Sequence, residues 1–391
     1  MSEILRTARL DVGYEGKAVI SGVEIEALRG QTICLIGPNG AGKSTILRTL
    51  SGMLAPVEGT VYIKGEDLRT VKTSALSRTM AVVLTEKRNM DMTTAYEVAA
   101  MGRMPYTGFF GRLEEADHHI IRECMSAVGA ADLAKREYHS LSDGEKQKVM
   151  IARALAQEPE LMILDEPTSH LDIRHKVEVV GILGRMAKER GMTVILALHD
   201  VDLAVKGCQY VLLVRDGEIA AQGRPEDIVQ ENTITDLYQI SGASYNALLG
   251  CMELHNKNPI SAFVSAGAGR GTPVYRVLSR MGIGTATGIL FENDVDCCIA
   301  RSMQLRAVVQ EPFTPIEEEK IAEAAGLIRR CRYVIDSGFP AGPYCQASLD
   351  LLREAKQVFT FRKPEECREL YGSASVCFVD SIARLQRELE A

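Results

Sequence analysis

The residues with the clearest chemical meaning form a glycine-rich loop that ends in a lysine and a hydroxyl. Residues 37–45 read Gly-Pro-Asn-Gly-Ala-Gly-Lys-Ser-Thr and follow an apolar run, 32–36, that is typical of a buried strand. Glycines let backbone N–H groups surround an anion, and the following helix presents its positive end. Lys43 can reach the outer phosphates and the Ser44 hydroxyl can ligate Mg²⁺. The loop predicts binding of a nucleoside triphosphate with Mg²⁺.

Two adjacent carboxylates supply a second chemical motif. The apolar run 161–164 ends in Asp165 and Glu166. In a hydrolase, Asp165 would hold the metal, and Glu166 would orient or deprotonate the attacking water. Taken alone, the first motif could be an ordinary glycine turn and the second an ordinary strand end. Together and in this order, they predict a nucleotide hydrolase.

Composition favours two domains with no nucleic-acid partner. The chain has 391 residues, and 46% of them are apolar. A chain of this length is longer than a single hydrophobic core usually accommodates. Its net charge of −7 gives no support for a nucleic-acid surface. No apolar run has the length of a membrane span and the start lacks a signal-peptide layout, so a cytoplasmic protein is expected. The ten cysteines are expected to be reduced.

Periodicity predicts an α/β core that is interrupted by a helical insertion. Residues 4–12 and 23–27 alternate like strands, and residues of about 94–153 have a helical pattern. Strands then alternate with helices, which is typical of a largely parallel sheet. Turn-rich residues near 256–259 place the domain boundary, giving a first domain at 1–250 and a second, smaller Rossmann-like α/β domain at 256–391.

The second domain carries its own glycine loop. Residues 267–272 read Gly-Ala-Gly-Arg-Gly-Thr after a strand pattern at 262–266. The loop could cradle a phosphate or dinucleotide, or it could be the glycine turn common before helices in α/β folds. The charged residues nearby could line a pocket, but solvated loop charges are the favoured interpretation. These residues are Asp294, Asp296, Arg301 and Asp336.

A further motif introduces a family resemblance. Residues 141–147 read Leu-Ser-Asp-Gly-Glu-Lys-Gln, and with the two earlier motifs this segment resembles the signature of the ATP-binding cassette (ABC) family over about residues 3–240. The resemblance implies that Ser142 and Gly144 contact ATP held by an opposite subunit, and hence a homodimer. A simple Ser-Gly helix cap is the alternative. Asp143 and Glu145 depart from the commonest signature.

The same resemblance assigns roles to single residues. It implies that Tyr14 stacks on adenine, although a strand-end aromatic is the alternative. Asp172 matches the loop that joins two cassettes, and His199 matches a switch histidine that senses the γ-phosphate, where a structural polar cap is the alternative. A glutamine that usually touches Mg²⁺ is replaced by Thr85, followed by Glu86, and either oxygen could reach the metal. The full set of implied nucleotide contacts is Tyr14, Gly37, Asn39, Gly40, Gly42, Lys43, Ser44, Thr45, Ser142, Gly144 and Asp172.

Residues 101–112 carry the resemblance to a subfamily. They are similar to the helical subdomain of importer cassettes that serve iron-siderophore, haem and cobalamin permeases. That similarity implies a separate membrane permease, an extracytoplasmic binding protein and a location on the inner face of the membrane. Two alternatives remain: a soluble ABC-type ATPase that acts on a macromolecule, and a cassette without turnover that serves as a nucleotide-dependent binding module.

Overall fold

The computed structural model describes residues 2–84, 92–108, 111–340, 342–367 and 370–390, without the side chain of residue 231. The chain divides into two compact units, Met1–Thr233 and Ile234–Ala391. This division lies before the boundary that the sequence predicts. The reason is a hairpin whose residues bond within the second unit: the Asn246 amide donates to Ser302 Oγ at 3.0 Å, and Arg276 pairs with Glu253.

The first unit contains two sheets. Its strands are β1 (Glu3–Tyr14), β2 (Lys17–Val23), β3 (Glu26–Leu28), β4 (Thr32–Ile36), β5 (Glu58–Ile63), β6 (Glu66–Asp67), β7 (Met80–Val83), β8 (Leu161–Asp165), β9 (Thr193–Ala197), β10 (Tyr210–Arg215) and β11 (Glu218–Gly223). The central sheet has the order β11-β10-β4-β9-β8-β7 and is parallel except for β11. Strands β4, β8 and β9 are buried throughout, which explains their continuous apolar sequences.

An antiparallel sheet pairs β1 with β2, β3 and β5. The strand predicted at 23–27 is wrong, since β2 ends at Val23 and β3 begins at Glu26. Thr7 explains the break. Its hydroxyl donates to Val23 O at 2.7 Å and accepts from Ile25 N at 2.8 Å, which satisfies backbone groups that a continuous strand would have paired.

Helices follow most strands of the first unit. They are α1 (Lys43–Leu50), α2 (Thr73–Thr79), α3 (Ala95–Ala100), α4 (Glu115–Ala127), α5 (Asp143–Ala156), α6 (Ile173–Arg190), α7 (Val201–Gly207), α8 (Pro225–Ile228) and α9 (Glu231–Leu237), the last crossing the division. Helices α3, α4 and α5 lie between β7 and β8 in the chain. They correspond to the helical insertion predicted at about 94–153.

The second unit is a six-stranded parallel sheet with a hairpin before it. Its strands are β12 (Ala243–Asn246), β13 (Cys251–Leu254), β14 (Ile260–Ser265), β15 (Gly284–Phe291), β16 (Arg306–Gln310), β17 (Tyr333–Asp336), β18 (Gln357–Thr360) and β19 (Ser375–Phe378). Its helices are α10 (Thr272–Arg280), α11 (Val295–Ser302), α12 (Glu318–Arg330), α13 (Gln346–Asp350) and α14 (Ile382–Glu390). The order β16-β15-β14-β17-β18-β19 is that of a Rossmann fold. Apolar clusters cover both faces of the sheet, which confirms the predicted fold class.

Candidate functional site

Three neighbouring strands of the central sheet bring the predicted chemical residues to one edge. Strand β9 pairs in parallel with β4 on one side and with β8 on the other. The glycine loop leaves the carboxyl end of β4, Asp165 ends β8, and His199 follows β9. Because parallel strands end at the same edge of a sheet, residues far apart in sequence meet there.

The loop conformation requires glycine at two positions. A Cβ at Gly37 would lie 2.2 Å from Val214 O. Gly42 precedes α1 with a φ of 98° in the left-handed region, and a Cβ there would lie 2.6 Å from Ile20 Cδ1. These glycines let the loop close against the sheet and let α1 begin directly behind it.

Lys43 is folded into the loop. Its Nζ donates to Gly37 O at 2.7 Å and to Pro38 O at 2.9 Å, and the residue is only 4% exposed. Burial lowers the pKa of the Lys43 ammonium, although the nearby carboxylates Glu166 and Asp165 act in the opposite direction. In this structure the Lys43 ammonium is therefore bonded to carbonyl oxygens of the loop itself.

Ser44 and Asp165 form a pair of hard oxygen ligands. Ser44 Oγ donates to Asp165 Oδ1 at 2.9 Å, and Asp165 is buried. Burial raises the pKa of the Asp165 carboxyl; the Ser44 hydrogen bond opposes this effect and the charge of Glu166 adds to it. Hydroxyl and carboxylate oxygens are suitable ligands for Mg²⁺, and a cation here would offset the burial of negative charge. The residues fit a magnesium ion.

Both carboxylate oxygens of Glu166 are held by neighbouring side chains. Oε1 lies 2.5 Å from His199 Nε2, and Oε2 accepts from Ser169 Oγ at 2.8 Å. Glu166 has a φ of 50°, an uncommon conformation for a residue with a side chain. The turn after β8 thus directs Glu166 away from the strand while Asp165 stays buried at its end.

The remaining loop predictions differ in exposure. Tyr14 ends β1 and is 46% exposed, while Asn39 and Gly40 lie on the exposed part of the loop. Thr45 is buried within α1. Thr85 and Glu86, suggested as replacements for the usual glutamine, lie outside the described residues.

Ser142, Gly144 and Asp172 form a second group on two other helices. Ser142 caps α5: its hydroxyl accepts from Glu145 N at 3.3 Å, and Glu145 Oε2 accepts from Ser142 N at 2.8 Å. Arg136 pairs with Glu145 at 2.9 Å. Asp172 caps α6, and Gly144 packs against that helix. The helix cap offered as the alternative for Ser142 is therefore present, and such a helix end can also bind an anion.

Two residues near these motifs have contacts that the sequence did not indicate. Ser169 Oγ bonds to Glu166 across a turn that the Ser169 N–H closes by donating to Glu166 O at 3.1 Å, and this side-chain contact is not part of the sequence prediction. Arg103 is buried: it donates to Asp117 Oδ1 at 2.8 Å and to Glu158 Oε2 at 2.7 Å. In sequence, Arg103 looks like any surface arginine beside a turn.

The glycine loop of the second unit is occupied by the protein's own carboxylates. Asp296 accepts from Gly271 N at 2.9 Å and from Thr272 N and Thr272 Oγ1 at 2.8 Å, and Asp294 accepts from Ala268 N at 2.8 Å. These N–H groups are the ones a phosphate would use. The arrangement supports the interpretation of the loop as a structural turn.

The charged residues near the second glycine loop are expected from the sequence to be solvated, and this expectation is wrong for two of them. Asp296 and Asp336 are fully buried rather than solvated. Asp336 accepts from Arg362 Nε at 2.7 Å and from Tyr371 Oη at 2.8 Å, so its charge is satisfied inside the unit. Arg301, in contrast, pairs with Glu292 on the surface.

Comparison with known proteins identifies the family. A family model described as ABC transporter matches residues 20–169, and a second one, described as the MJ0874 family, matches residues 285–388. The uncharacterized ABC transporter ATP-binding protein MJ0873 of Methanocaldococcus jannaschii is 44% identical over 278 residues, which cover 70% of this chain and 96% of that protein. This chain belongs to the ABC transporter family of ATP-binding proteins. The resemblance stated from its motifs is confirmed, and the protein is an ATPase of this family.

Two further relatives of this chain have names that state what is imported. The cobalamin import ATP-binding protein BtuD of Halobacterium salinarum is 32% identical over 323 residues, covering 81% of each chain. The iron(3+)-hydroxamate import ATP-binding protein FhuC of Bacillus subtilis is 34% identical over 236 residues, covering 60% of this chain and 88% of that one.

A solved cassette supports the fold of the first unit. The ADP conformation of MJ1267, an ATP-binding cassette of an ABC transporter, matches with a TM-score of 0.56 at 23% identity, covering 62% of this chain and all of that one. Among the described residues of the ABC protein, no helix combines the length and apolarity needed to cross a membrane.

Proposed function

We propose that this protein is the ATP-hydrolysing subunit of an importer for cobalamin or an iron chelate, with a corrinoid favoured. One observation carries the choice. The alignment with the cobalamin import protein extends over 323 residues, more than the first unit contains, so it continues into the second unit. The alignment with the iron-hydroxamate import protein has 236 residues, about the length of the cassette alone. The cobalamin import protein therefore shares part of the second unit as well as the cassette.

ATP binds at the loop between β4 and α1. The backbone N–H groups of the loop and Lys43 contact the β- and γ-phosphates, which requires Lys43 Nζ to exchange its bonds to Gly37 O and Pro38 O for phosphate oxygens. Ser44 and Asp165 would hold Mg²⁺, and the ion would supply positive charge to offset the charge that develops on the phosphoryl oxygens. By the family resemblance, Thr85 or Glu86 is a further candidate ligand of the metal, and Tyr14 stacks on the adenine.

Glu166 acts on the attacking water. A carboxylate oriented by two neighbours can accept a proton or align a water without first losing side-chain freedom. His199 contributes to this orientation and reports the γ-phosphate to the turn after β8. Asp165 and Glu166 are adjacent but have separate tasks, because one is buried beside Ser44 and the other faces His199.

Two copies close around two nucleotides. The N-terminal end of α5, with Ser142 and Gly144, contacts ATP bound by the opposite subunit, and Asp172 lies at the same interface. An anion at this helix end is stabilised by the backbone N–H groups of the first turn and by the helix dipole. Glu145 and Asp143 lie beside it, and Arg136 offsets the charge of Glu145.

The homodimer binds a membrane permease from the inner side of the membrane. A binding protein on the outer side delivers the cargo to that permease. The helical insertion of α3–α5 contacts the permease, since the stretch 101–112 between α3 and α4 is the one similar to importer cassettes. No nucleic acid is involved.

An uptake experiment tests the proposal. Cells that lack this chain are supplied with radiolabelled cobalamin or with a labelled ferric hydroxamate, and are complemented with wild type or with Glu166→Gln. The proposal expects cobalamin uptake to return with wild type only. Restored ferric-hydroxamate uptake alone would assign the iron cargo, and normal uptake of both compounds without the chain would contradict an importer role.

A further inference from the structure

We infer that His175 is a positioning residue that couples the Asp172 loop to the signature helix α5 within one subunit. The inference rests on the proposed function, in which Asp172, Ser142 and Gly144 all face the opposite subunit. His175 lies in the first turn of α6 and has contacts in both directions.

On one side, His175 is bonded to Asp172. Asp172 Oδ1 accepts from the backbone N–H of His175 at 2.9 Å and lies 2.9 Å from His175 Nδ1. The first contact is an ordinary helix cap, which any residue at this position could supply. The second contact requires a side-chain donor. It fixes the imidazole ring relative to the Asp172 carboxylate.

On the other side, the ring lies against Gly144. A Cβ built on Gly144 would come within 2.6 Å of His175 Cγ and Cδ2 and within 3.0 Å of its Nδ1. Gly144 has no positive φ, so backbone conformation does not explain the glycine. The absence of a side chain is needed because the ring occupies its place.

A second contact, one turn further along, holds the same two helices together. Lys148 Nζ pairs with Glu178 Oε2 at 2.7 Å, and the Lys148 side chain is only 15% exposed. Lys148 is four residues after Gly144 on α5, and Glu178 is three residues after His175 on α6. The two contacts thus lie about one helical turn apart on each helix, and His175 is the one nearer to the N-terminal ends of α5 and α6.

This geometry links two parts of the proposed dimer interface, namely the N-terminal end of α5 and the Asp172 loop. A planar ring bonded to Asp172 and packed on Gly144 transmits a displacement of one to the other, since close-packed contacts do not deform continuously. When α5 engages ATP of the opposite subunit, the Asp172 loop moves with it. Without the ring, the two segments engage independently, and closure of the dimer becomes less favourable.

A double-mutant cycle tests the coupling. Gly144→Ala, His175→Ala and the double variant are compared in full-length protein by ATP turnover and by thermal unfolding. Gly144→Ala is expected to reduce turnover in both backgrounds, because Gly144 also faces ATP of the opposite subunit. The reduction should be at least about threefold larger when the His175 ring is present, because the added methyl group then clashes with it. Equal costs in the two backgrounds would overturn the inference.

Dimerisation separates coupling from simple loss of folded protein. In a Glu166→Gln background, the ATP concentration that half-saturates dimer formation is measured by light scattering, and His175→Ala is expected to raise it about tenfold. A reduced folded fraction would lower the amplitude but leave this midpoint unchanged, and that result would contradict the inference. His119→Ala is the control, because His119 pairs with Glu123 on the exposed face of α4.

The two proposals can fail separately. Absence of ATP turnover in wild type would reject the proposed function. The non-additivity of Gly144→Ala and His175→Ala in thermal unfolding would still test the packing of the ring on the signature helix.

Discussion

Glu166 has both carboxylate oxygens engaged, by His199 at 2.5 Å and by Ser169 at 2.8 Å. Two contacts on one carboxylate fix its rotation as well as its position, which a single contact would not do. The neighbouring Asp165 differs because it is buried and bonded to Ser44. The chemistry of the site thus depends on side chains that orient the reacting groups as well as on those groups themselves.

Ser169→Ala removes the hydroxyl that holds Glu166 Oε2. Losing one hydrogen bond to a charged group costs about 1.5 kcal/mol, so we expect ATP turnover to fall about tenfold. The KM for ATP should stay unchanged because the Ser169 hydroxyl is bonded to Glu166, which acts on the attacking water. Steady-state kinetics with Thr168→Ser as the control decide this, and unchanged turnover would show that Ser169 does not orient Glu166.

Asp165 should make nucleotide binding pH-dependent. Burial raises the pKa of its carboxyl, and only the ionised form attracts Mg²⁺. We therefore expect affinity for Mg-ATP to increase as pH rises through this raised pKa, and to be lost at a higher pH than an ordinary aspartate would allow. Calorimetric titrations at several pH values measure the effect. Asp165→Asn should bind weakly without this pH dependence; an identical profile in the variant would assign the titration to another group.

At the scale of strands and helices, the positions of the site residues follow largely from the sequence. Strands β4 and β8 are recognisable as apolar runs, and parallel strands must end at a common edge, so Lys43, Ser44 and Asp165 can be expected to meet. The break between β2 and β3 cannot be foreseen, since it depends on the distant Thr7. Burial of Asp296 and the ring of His175 on Gly144 are likewise tertiary contacts, which leave no mark on local periodicity.

Asp296 caps the N-terminal end of α10 by accepting hydrogen bonds from backbone N–H groups of the glycine loop. We expect Asp296→Ala to lower the free energy of unfolding by about 1–3 kcal/mol, because it leaves buried N–H groups of Gly271 and Thr272 without a partner. Arg301→Ala on the same helix, α11, is the control and should cost less than about 1 kcal/mol, since its pair with Glu292 is exposed. Chemical denaturation measures both variants. Equal effects would argue against the internal cap.

At the scale of the whole molecule, the chain joins a cassette to a Rossmann-type unit. The cassette supplies the ATP site, while the glycine loop of the second unit is satisfied by Asp294 and Asp296. The second unit also continues the alignment to the cobalamin import relative. The sequence could predict two α/β units and the nucleotide-binding loop of the first, but not that the protein's own carboxylates fill the glycine loop of the second.

The proposed homodimer should depend on bound ATP. Glu166→Gln keeps the phosphate loop and slows hydrolysis, so we expect its mass to double in light scattering when ATP and Mg²⁺ are added. Adding Lys43→Ala to this variant should keep the protein monomeric, because the cation that binds the outer phosphates is missing. A dimer that forms equally well without ATP would place the subunit contact elsewhere.

ATP turnover by the purified full-length chain tests the central claim most directly. With Mg²⁺ present, wild type should release phosphate continuously, while Glu166→Gln should retain ATP and release phosphate at least about a hundredfold more slowly. Wild-type protein that neither retains nor hydrolyses ATP, or a Glu166→Gln variant with normal turnover, would contradict the account.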